Sequence, residues 1–423
     1  MVSGFYNAGI AVYQGLLRLA APFNQKAQQW VTGRRNWQST LNSFLAGNAF
    51  PIVWFHAASL GEFEQGRPVM EAFREQYPNY KILLTFFSPS GYEVRKNYAG
   101  ADYVLYLPAD TPANAREFVR LVKPEMVFFI KYEFWYNYLH ELRKRNIPII
   151  SFSTIFRPNQ LFFRELGPIS QFYKSLLGYF DHILVQNQES VDLLASIGMT
   201  NVTLAGDTRF DRVAHVASTK KDIPIAQAFK SETPLLVVGS AWQADMAILL
   251  PFINQFDKPL KVIIAPHEIH DDEIERWRSQ LTKTSIRFSQ TNVADAQTAD
   301  VLFIDNIGML SSLYQYGEFA HIGGAFGKGL HNILEAATFG MPLFFGPNYT
   351  KFQEAVDLIK EGAAFPVRDT SEFQTAFVKQ YENPSEATLI SRHYVLRNIG
   401  ATEKVMDVVK KIMSERMKER KSE

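Results

Sequence analysis

Two segments carry residues of a type and spacing suited to chemistry. The first is His56-Ala-Ala-Ser-Leu-Gly-Glu62-Phe, which follows directly on the apolar run Ile52-Val-Trp-Phe55. A strand feeding a glycine turn, with a carboxylate at the mouth of the next helix, is where open α/β sheets place chemistry. Glu62 is a candidate general base if a partly apolar setting raises its pKa towards working pH. A carboxylate there also suits the positive end of a helix, and the residues alone leave both readings open. The second segment is His321-Ile-Gly323-Gly324-Ala-Phe-Gly327-Lys-Gly329-Leu-His331-Asn332-Ile-Leu-Glu335. Its glycines let backbone approach a ligand, and a helix expected to start near Leu330 would offer free N–H groups to a phosphate. Glu335, four residues after His331, would share its face and can accept from a ribose diol. No Gly-Lys-Ser/Thr follows, so the run is not a Walker loop. A turn serving only close packing is the alternative.

The elements that must position these segments alternate along the chain. Strands are expected at 51–56, 80–86, 103–106, 126–130, 147–152, 182–185 and 202–204, with helices between them such as 62–77, 137–145 and 188–197. This rhythm implies a doubly wound parallel sheet. The polar stretch 207–233 interrupts it and reads as an interdomain link. A second series follows, with strands at 235–239, 261–265, 301–304, 319–322 and 342–345. Helices are expected at 243–255, 270–281, 308–315, 330–340 and 351–361. Two such domains in series predict a ligand cleft at their carboxyl-edge loops. The tail from Glu403 to Lys421 reads as a packed amphipathic helix with a Lys-rich end.

With 423 residues the chain is too long for one ordinary core. A net charge of +1 gives no field suited to nucleic acid. The absence of cysteine excludes disulfides and thiolate metal sites and agrees with a reducing compartment. The first acidic residue is Glu62, while Arg18, Lys26, Arg34 and Arg35 precede it. This leading stretch suits an anionic lipid surface. Tyr6, Ile10, Tyr13 and Leu17 recur at helical spacing, and Trp30 and Trp37 beside Arg34 and Arg35 resemble an interfacial anchor. A helix packed on its own domain is the other reading. Arg18 inside the apolar run argues against a signal peptide. No window has the 18 uncharged apolar residues of a transmembrane helix.

Gly346-Pro-Asn348-Tyr-Thr350-Lys351-Phe352-Gln353-Glu354 extends the polar set after the glycine run. Together they resemble the nucleotide-sugar half of GT-B glycosyltransferases. Four segments then narrow the resemblance: His56 to Glu62, Tyr132-Glu133-Phe-Trp135-Tyr-Asn137, Gly206-Asp-Thr-Arg209-Phe-Asp211, and the His331-Asn332 run. In that order they resemble the four signatures of 3-deoxy-D-manno-octulosonic acid (Kdo) transferases, over about residues 50 to 360.

The resemblance implies inverting transfer of Kdo from CMP-Kdo to a lipid A precursor (lipid IVA) in lipopolysaccharide synthesis. It implies no cofactor and no metal, and a place on the cytoplasmic face of the cell inner membrane. It makes Glu62 the general base. Glu133 matches the glutamate of a T-E-L-W segment, although unaided it reads as a helix cap. Arg209 stands where the family has lysine in G-N-x-K-F-D, suited to charge on the leaving CMP, or else to a linker salt bridge. Donor contacts implied by position are Ser240, Pro266, His267, Gly308, Met309, Leu310, Asn332, Ile333, Leu334 and Glu335. Pro266 and His267 replace a Pro-Arg pair, and Leu330 replaces a glycine before the histidine. His267 and His270, with Asp271 and Asp272, read as loop residues rather than metal ligands.

The implied architecture is a membrane-associated helical segment (1–48) and an acceptor domain (49–206). A linker (207–233), a CMP-sugar domain (234–395) and a C-terminal helix (396–423) follow. The alternatives are another GT-B enzyme using a UDP-sugar, as transferase or 2-epimerase, and a non-catalytic nucleotide-binding module of the envelope.

Overall fold

The structure, a computed structural model, describes residues 2–164, 167–219, 221–327 and 329–422, the last four by backbone alone. It forms two units. The first runs to Arg212 and resumes at Gly400, and the second spans Val213–Ile399.

The first unit holds β1 (Ile52–Ala57), β2 (Lys81–Phe86), β3 (Tyr103–Tyr106), β4 (Met126–Ile130), β5 (Ile149–Thr154), β6 (His182–Val185) and β7 (Val202–Leu204). They form one sheet in the order β3-β2-β1-β4-β5-β6-β7, parallel throughout. Helices cover both faces, so central strands are buried along their whole length and read as continuous apolar runs. Strand alternation sends Trp54 into one core with Phe118, Phe129 and Tyr138. Val53 and Phe55 enter the other with Phe63, Phe73 and Phe128. The strand order reverses between β1 and β4, which opens a crevice at their carboxyl ends.

The second unit repeats the scheme with β8 (Leu235–Ala241), β9 (Lys261–Pro266), β10 (Ser285–Arg287), β11 (Val301–Phe303), β12 (Phe319–Ile322), β13 (Leu343–Phe345) and β14 (Ala364–Pro366). Its order is β10-β11-β9-β8-β12-β13-β14, with its switch between β8 and β12. Strands β10 and β14 were not expected from the sequence. Each is a three-residue edge strand, and Pro366 is tolerated there because an edge leaves one side unpaired.

The chain leaves the first unit inside the polar stretch 207–233, which carries the helices Thr208–Ser218 and Pro224–Lys230. It returns as the helix Ala401–Ser422, whose Val405, Met406, Val409 and Met413 join the Phe55–Phe128 core. Asp211 fixes that return by accepting from the Gly400 N–H (2.6 Å) and from the N–H and hydroxyl of Thr402 (2.7 Å each). Lys418 is exposed, and Lys421 lies outside the residues whose side chains are described.

The leading stretch forms the helices Val2–Ala20, Gln25–Thr32 and Trp37–Leu45. Here the anchor reading needs correction. Trp30, Trp37 and Leu41 are buried in protein. Arg34 donates to the carbonyls of Leu107 (2.8 Å), Trp30 (3.1 Å) and Phe87 (2.6 Å). It also sits over the Trp30 ring at 3.9 Å. Burial lowers its pKa to about 9, so it stays charged at neutral pH. Three carbonyls and a ring face occupy the group that the sequence offered to lipid.

The first helix is held at its inner face. Tyr6 donates to Asp110 (2.6 Å), which also accepts from the Asn137 and Tyr138 N–H groups (3.1 Å each). Its outer face carries Phe5, Val12, Leu16 and Leu19, with Phe23 just beyond. Phe5, Leu19 and Phe23 are 72%, 73% and 92% exposed. No helix among the described residues is long and apolar enough to cross a membrane.

Val409→Asp places a carboxylate in the core beneath the terminal helix. It should destabilise the first unit by at least about 3 kcal/mol, read as an earlier urea midpoint. A wild-type midpoint would mean that this helix does not pack there.

Candidate active site

The carboxyl edge of β1 and β4 brings two sequence-predicted carboxylates together. The helix Leu60–Gln76 starts after Ser59, so Glu62 falls in its first turn and accepts from the Ala58 N–H. Burial raises the Glu62 carboxyl to about 7, and the charge of Glu133 adds to the rise. The Ala58 amide, Lys131 and the Ser59 amide oppose it.

Glu133 lies in the loop after β4, before the helix Tyr136–Lys144. It is not a helix cap. It is buried and accepts from His56 Nε2 (3.0 Å) and Trp135 Nε1 (2.6 Å). His56 Nδ1 lies 2.8 Å from the Thr85 hydroxyl, so both ring nitrogens of the buried histidine have polar partners. Lys131, directly after β4, has φ +68, a left-handed conformation that costs a side-chain-bearing residue about 1 kcal/mol or more.

Arg209 opens the helix Thr208–Ser218. Asp207 accepts from its N–H and Nε (2.9 Å each), and its outer guanidinium nitrogen lies 2.8 Å from the same carboxylate. Burial alone would raise the Asp207 carboxyl, but Arg209 holds it below the usual range. Gln65 donates to Asp207 (3.2 Å), and Thr208 donates to the Gln65 carbonyl. Arg209 is therefore tied to the helix that carries Glu62. Its pair with Asp207 lies within its own motif.

In the second unit, the ends of β8 and β12 meet closely. Ser240 has φ +53 at a register shift in β8. A Cβ on Gly323 would lie 2.1 Å from the Ser240 carbonyl oxygen, so only glycine fits. The buried Asp245 accepts from the N–H groups of Trp242 (3.0 Å) and Gly324 (3.1 Å) and pairs with His321 Nε2 (3.1 Å). It thereby pins the glycine turn.

Trp242, His267 and His331 stack, with ring centroids 4.3 Å apart from Trp242 to His267 and from His267 to His331. Trp242 Nε1 donates to His331 Nε2 at 3.1 Å. Burial lowers both histidine pKa values, and His267 lowers His331 further, so both rings are neutral. A cavity of about 390 Å³ opens between Trp242 and the glycines 324, 327 and 329.

The helix expected from Leu330 begins only at Leu334 and spans four residues. Gly329 has φ +153 and Leu330 turns its side chain inward, so the chain stays irregular. Asn332 Oδ1 accepts from the Leu334 N–H at 3.2 Å. His331 thus precedes the helix instead of sharing its face with Glu335. Glu335 accepts from Ser311 Oγ (2.6 Å) and Asn332 Nδ2 (3.2 Å). Ile333 and Leu334 are buried, so their side chains serve the core. Pro266 ends β9, next to His267 in the stack. Gly308 has φ +93, and Met309 precedes the short helix Leu310–Leu313 that supplies Ser311.

Sequence reasoning missed His56, Thr85, Asp207, Trp242, Asp245 and Ser311 as partners of the site. The only local signal was Asp245 three residues after Trp242, a helix-capping spacing.

Two parallel α/β units, each with its switch point loaded in this way, define the GT-B fold. The solved UDP-GlcNAc 2-epimerase from Neisseria meningitidis shares it, with a TM-score of 0.60 over 85% of this chain and 100% of that chain. At 15% identity the likeness is one of fold.

Residues 28–212 match the family model described as 3-deoxy-D-manno-octulosonic-acid transferase (kdotransferase). The 3-deoxy-D-manno-octulosonic acid transferase of Aquifex aeolicus is 28% identical over 334 residues, covering 78% of this chain and 85% of that protein. The Haemophilus influenzae protein of the same description is 24% identical over 375 residues, covering 85% and 86%. The chain is thus a relative of the Kdo transferases, which are glycosyltransferases.

Asp245→Ala would strip two amides and a histidine of their shared acceptor. The second unit should lose about 2–4 kcal/mol, with a shift in tryptophan emission as Trp242 is released. Unchanged stability and emission would show that the turn needs no such anchor.

Proposed function

We propose that the chain transfers Kdo from CMP-Kdo to a lipid A precursor such as lipid IVA, with inversion, and that Glu62 is the general base. The observation that carries this reading is the Glu62 carboxyl, raised to about 7 beside Glu133 at the carboxyl edge of β1. Its carboxylate would take the proton of an acceptor sugar hydroxyl as that oxygen attacks the anomeric carbon of Kdo. The bond from that carbon to the phosphate oxygen breaks, and CMP leaves with the electron pair. Glu133 keeps Glu62 basic through repulsion. Arg209, held by Asp207, supplies a fixed cation for the leaving phosphate. The glycine turn, the Trp242–His267–His331 stack and Glu335 would receive the nucleotide. The relatives' shared description supports the donor sugar.

Purified protein given CMP-Kdo and a tetraacylated lipid A precursor should yield an acceptor heavier by Kdo, read by mass. Glu62→Gln should keep CMP affinity and lose at least about 10²-fold in turnover. A base must be ionised, so wild-type kcat/KM should climb as pH rises through about 7 and then level off. Wild-type turnover in the glutamine variant, or a limb near the usual carboxylate range, would remove Glu62 from this role.

The same reading puts the protein on the cytoplasmic face of the inner membrane, adsorbed through the outward stripe Phe5, Val12, Leu16, Leu19 and Phe23. Arg18, Lys26 and Arg35 stand by for an anionic surface, and Arg34 does not. Removing the whole leading stretch would also strip Trp37 and Leu41 from the core, so point changes test this better. Leu16→Ser/Leu19→Ser/Phe23→Ser should weaken sedimentation with anionic liposomes at least about tenfold. The melting temperature should be unchanged, because these residues are exposed. Equal sedimentation would contradict the adsorption.

A further inference from the structure

A cavity of about 760 Å³ in the first unit lies beside the N-terminal helices and not at the carboxylates. Its walls come from the end of the helix Val2–Ala20, from the helix Gln25–Thr32 and from the loop after β3. Arg18, Arg34 and Arg35 line it with Trp30, Gln14 and Gln28, and no carboxylate among the described residues does. Arg34 is committed to three carbonyls. Arg18 and Arg35 are exposed, and their guanidinium groups make no ion pair or hydrogen bond among the described residues. The cavity is held open by committed groups. Asp110 clamps Tyr6 of the first helix, and Arg34 joins the second helical segment to Leu107 and Phe87.

An aromatic wall runs from the cavity to the carboxylates. Trp30 meets Phe87 at 6.0 Å, Phe87 stacks on Trp135 at 4.8 Å, and Trp135 donates to Glu133. A ligand with one end in the cavity could therefore lie along rings towards Glu62.

We propose that this cavity binds a phosphate of the lipid acceptor, gripped by Arg18 and Arg35. Two free guanidinium forks suit a phosphate dianion in a way that a general surface charge does not. The indole faces of Trp30 and Trp135 and the ring of Phe87 suit the sugar ring that follows it. The inference rests on the acceptor being a phosphorylated lipid, as proposed above.

The test is binding without donor, in neutral detergent, so that neither turnover nor surface potential enters. The probes are the phosphorylated lipid A precursor and the same molecule after dephosphorylation. The wild type should bind the phosphorylated form at least about tenfold more tightly, the scale of a pair of charge-assisted contacts. Arg18→Gln/Arg35→Gln should lose that preference while keeping CMP affinity. Should the double variant melt early, Arg18→Lys and Arg35→Lys, which keep charge and lose the fork, should each shrink the preference. Equal wild-type affinity for both probes, or a preference that survives in the variants, overturns the assignment. A wild type that shows the preference yet turns over no CMP-Kdo would sink the proposed reaction and leave this site standing.

Discussion

Glu62 and Glu133 repel one another in a setting where water is scarce, and much of the first unit serves to keep them there. The switch in strand order between β1 and β4 puts the two following loops side by side. His56 and Trp135 hold Glu133 in place, and its charge adds to the rise that burial imposes on the Glu62 carboxyl. A rise from the usual 4.5 to about 7 corresponds to about 3 kcal/mol held against the ionised form. The sign matters for stability. A carboxyl raised on folding favours the fold fully below about pH 4.5, and that advantage fades as pH rises through about 7. Above that pH the fold carries an ionised, poorly hydrated Glu62, which is the condition a general base needs.

Charged residues elsewhere act as fasteners more than as reagents. Asp211 ties the returning C-terminal helix to the first unit. Asp207 fixes Arg209, and Asp245 closes the glycine turn of the second unit. Two of these lie in the Gly206–Asp211 motif, so that motif organises structure as well as presenting a cation. In the second unit the proposed ligand surface is mainly backbone, neutral rings and Glu335. Neutral stacked histidines suit a nucleobase, or a phosphate that brings its own proton.

The sheet order was not written in the sequence, but most strands were. Central strands such as β4 and β12 are buried on both faces and stand out as apolar runs. Ser285–Arg287 and Ala364–Pro366 pair on one side only and are too short, at three residues each, to be seen. Glu62 was legible because a strand, a glycine and a carboxylate follow one another directly. Glu133 was named through the resemblance alone, and what holds it beside Glu62 was not legible, since that hydrogen bond joins residues 77 apart. The same holds for His321 with Asp245, 76 apart. Arg34 beside tryptophans misled for a related reason. The pattern that meets a lipid interface is also the pattern that caps carbonyls inside a protein. The late start of the helix at Leu334 was hidden by Gly329 and by the Asn332 cap, which act through backbone geometry.

The central claim is that Glu62 is a carboxyl group kept basic by burial and by Glu133. The most direct measurement is a carbon-13 NMR titration of the Glu62 side-chain carboxyl in the wild type and in Glu133→Gln. A midpoint near 7 in the wild type that falls clearly once the second charge is removed is the predicted result. A wild-type midpoint near 4.5, or one indifferent to residue 133, would contradict the account.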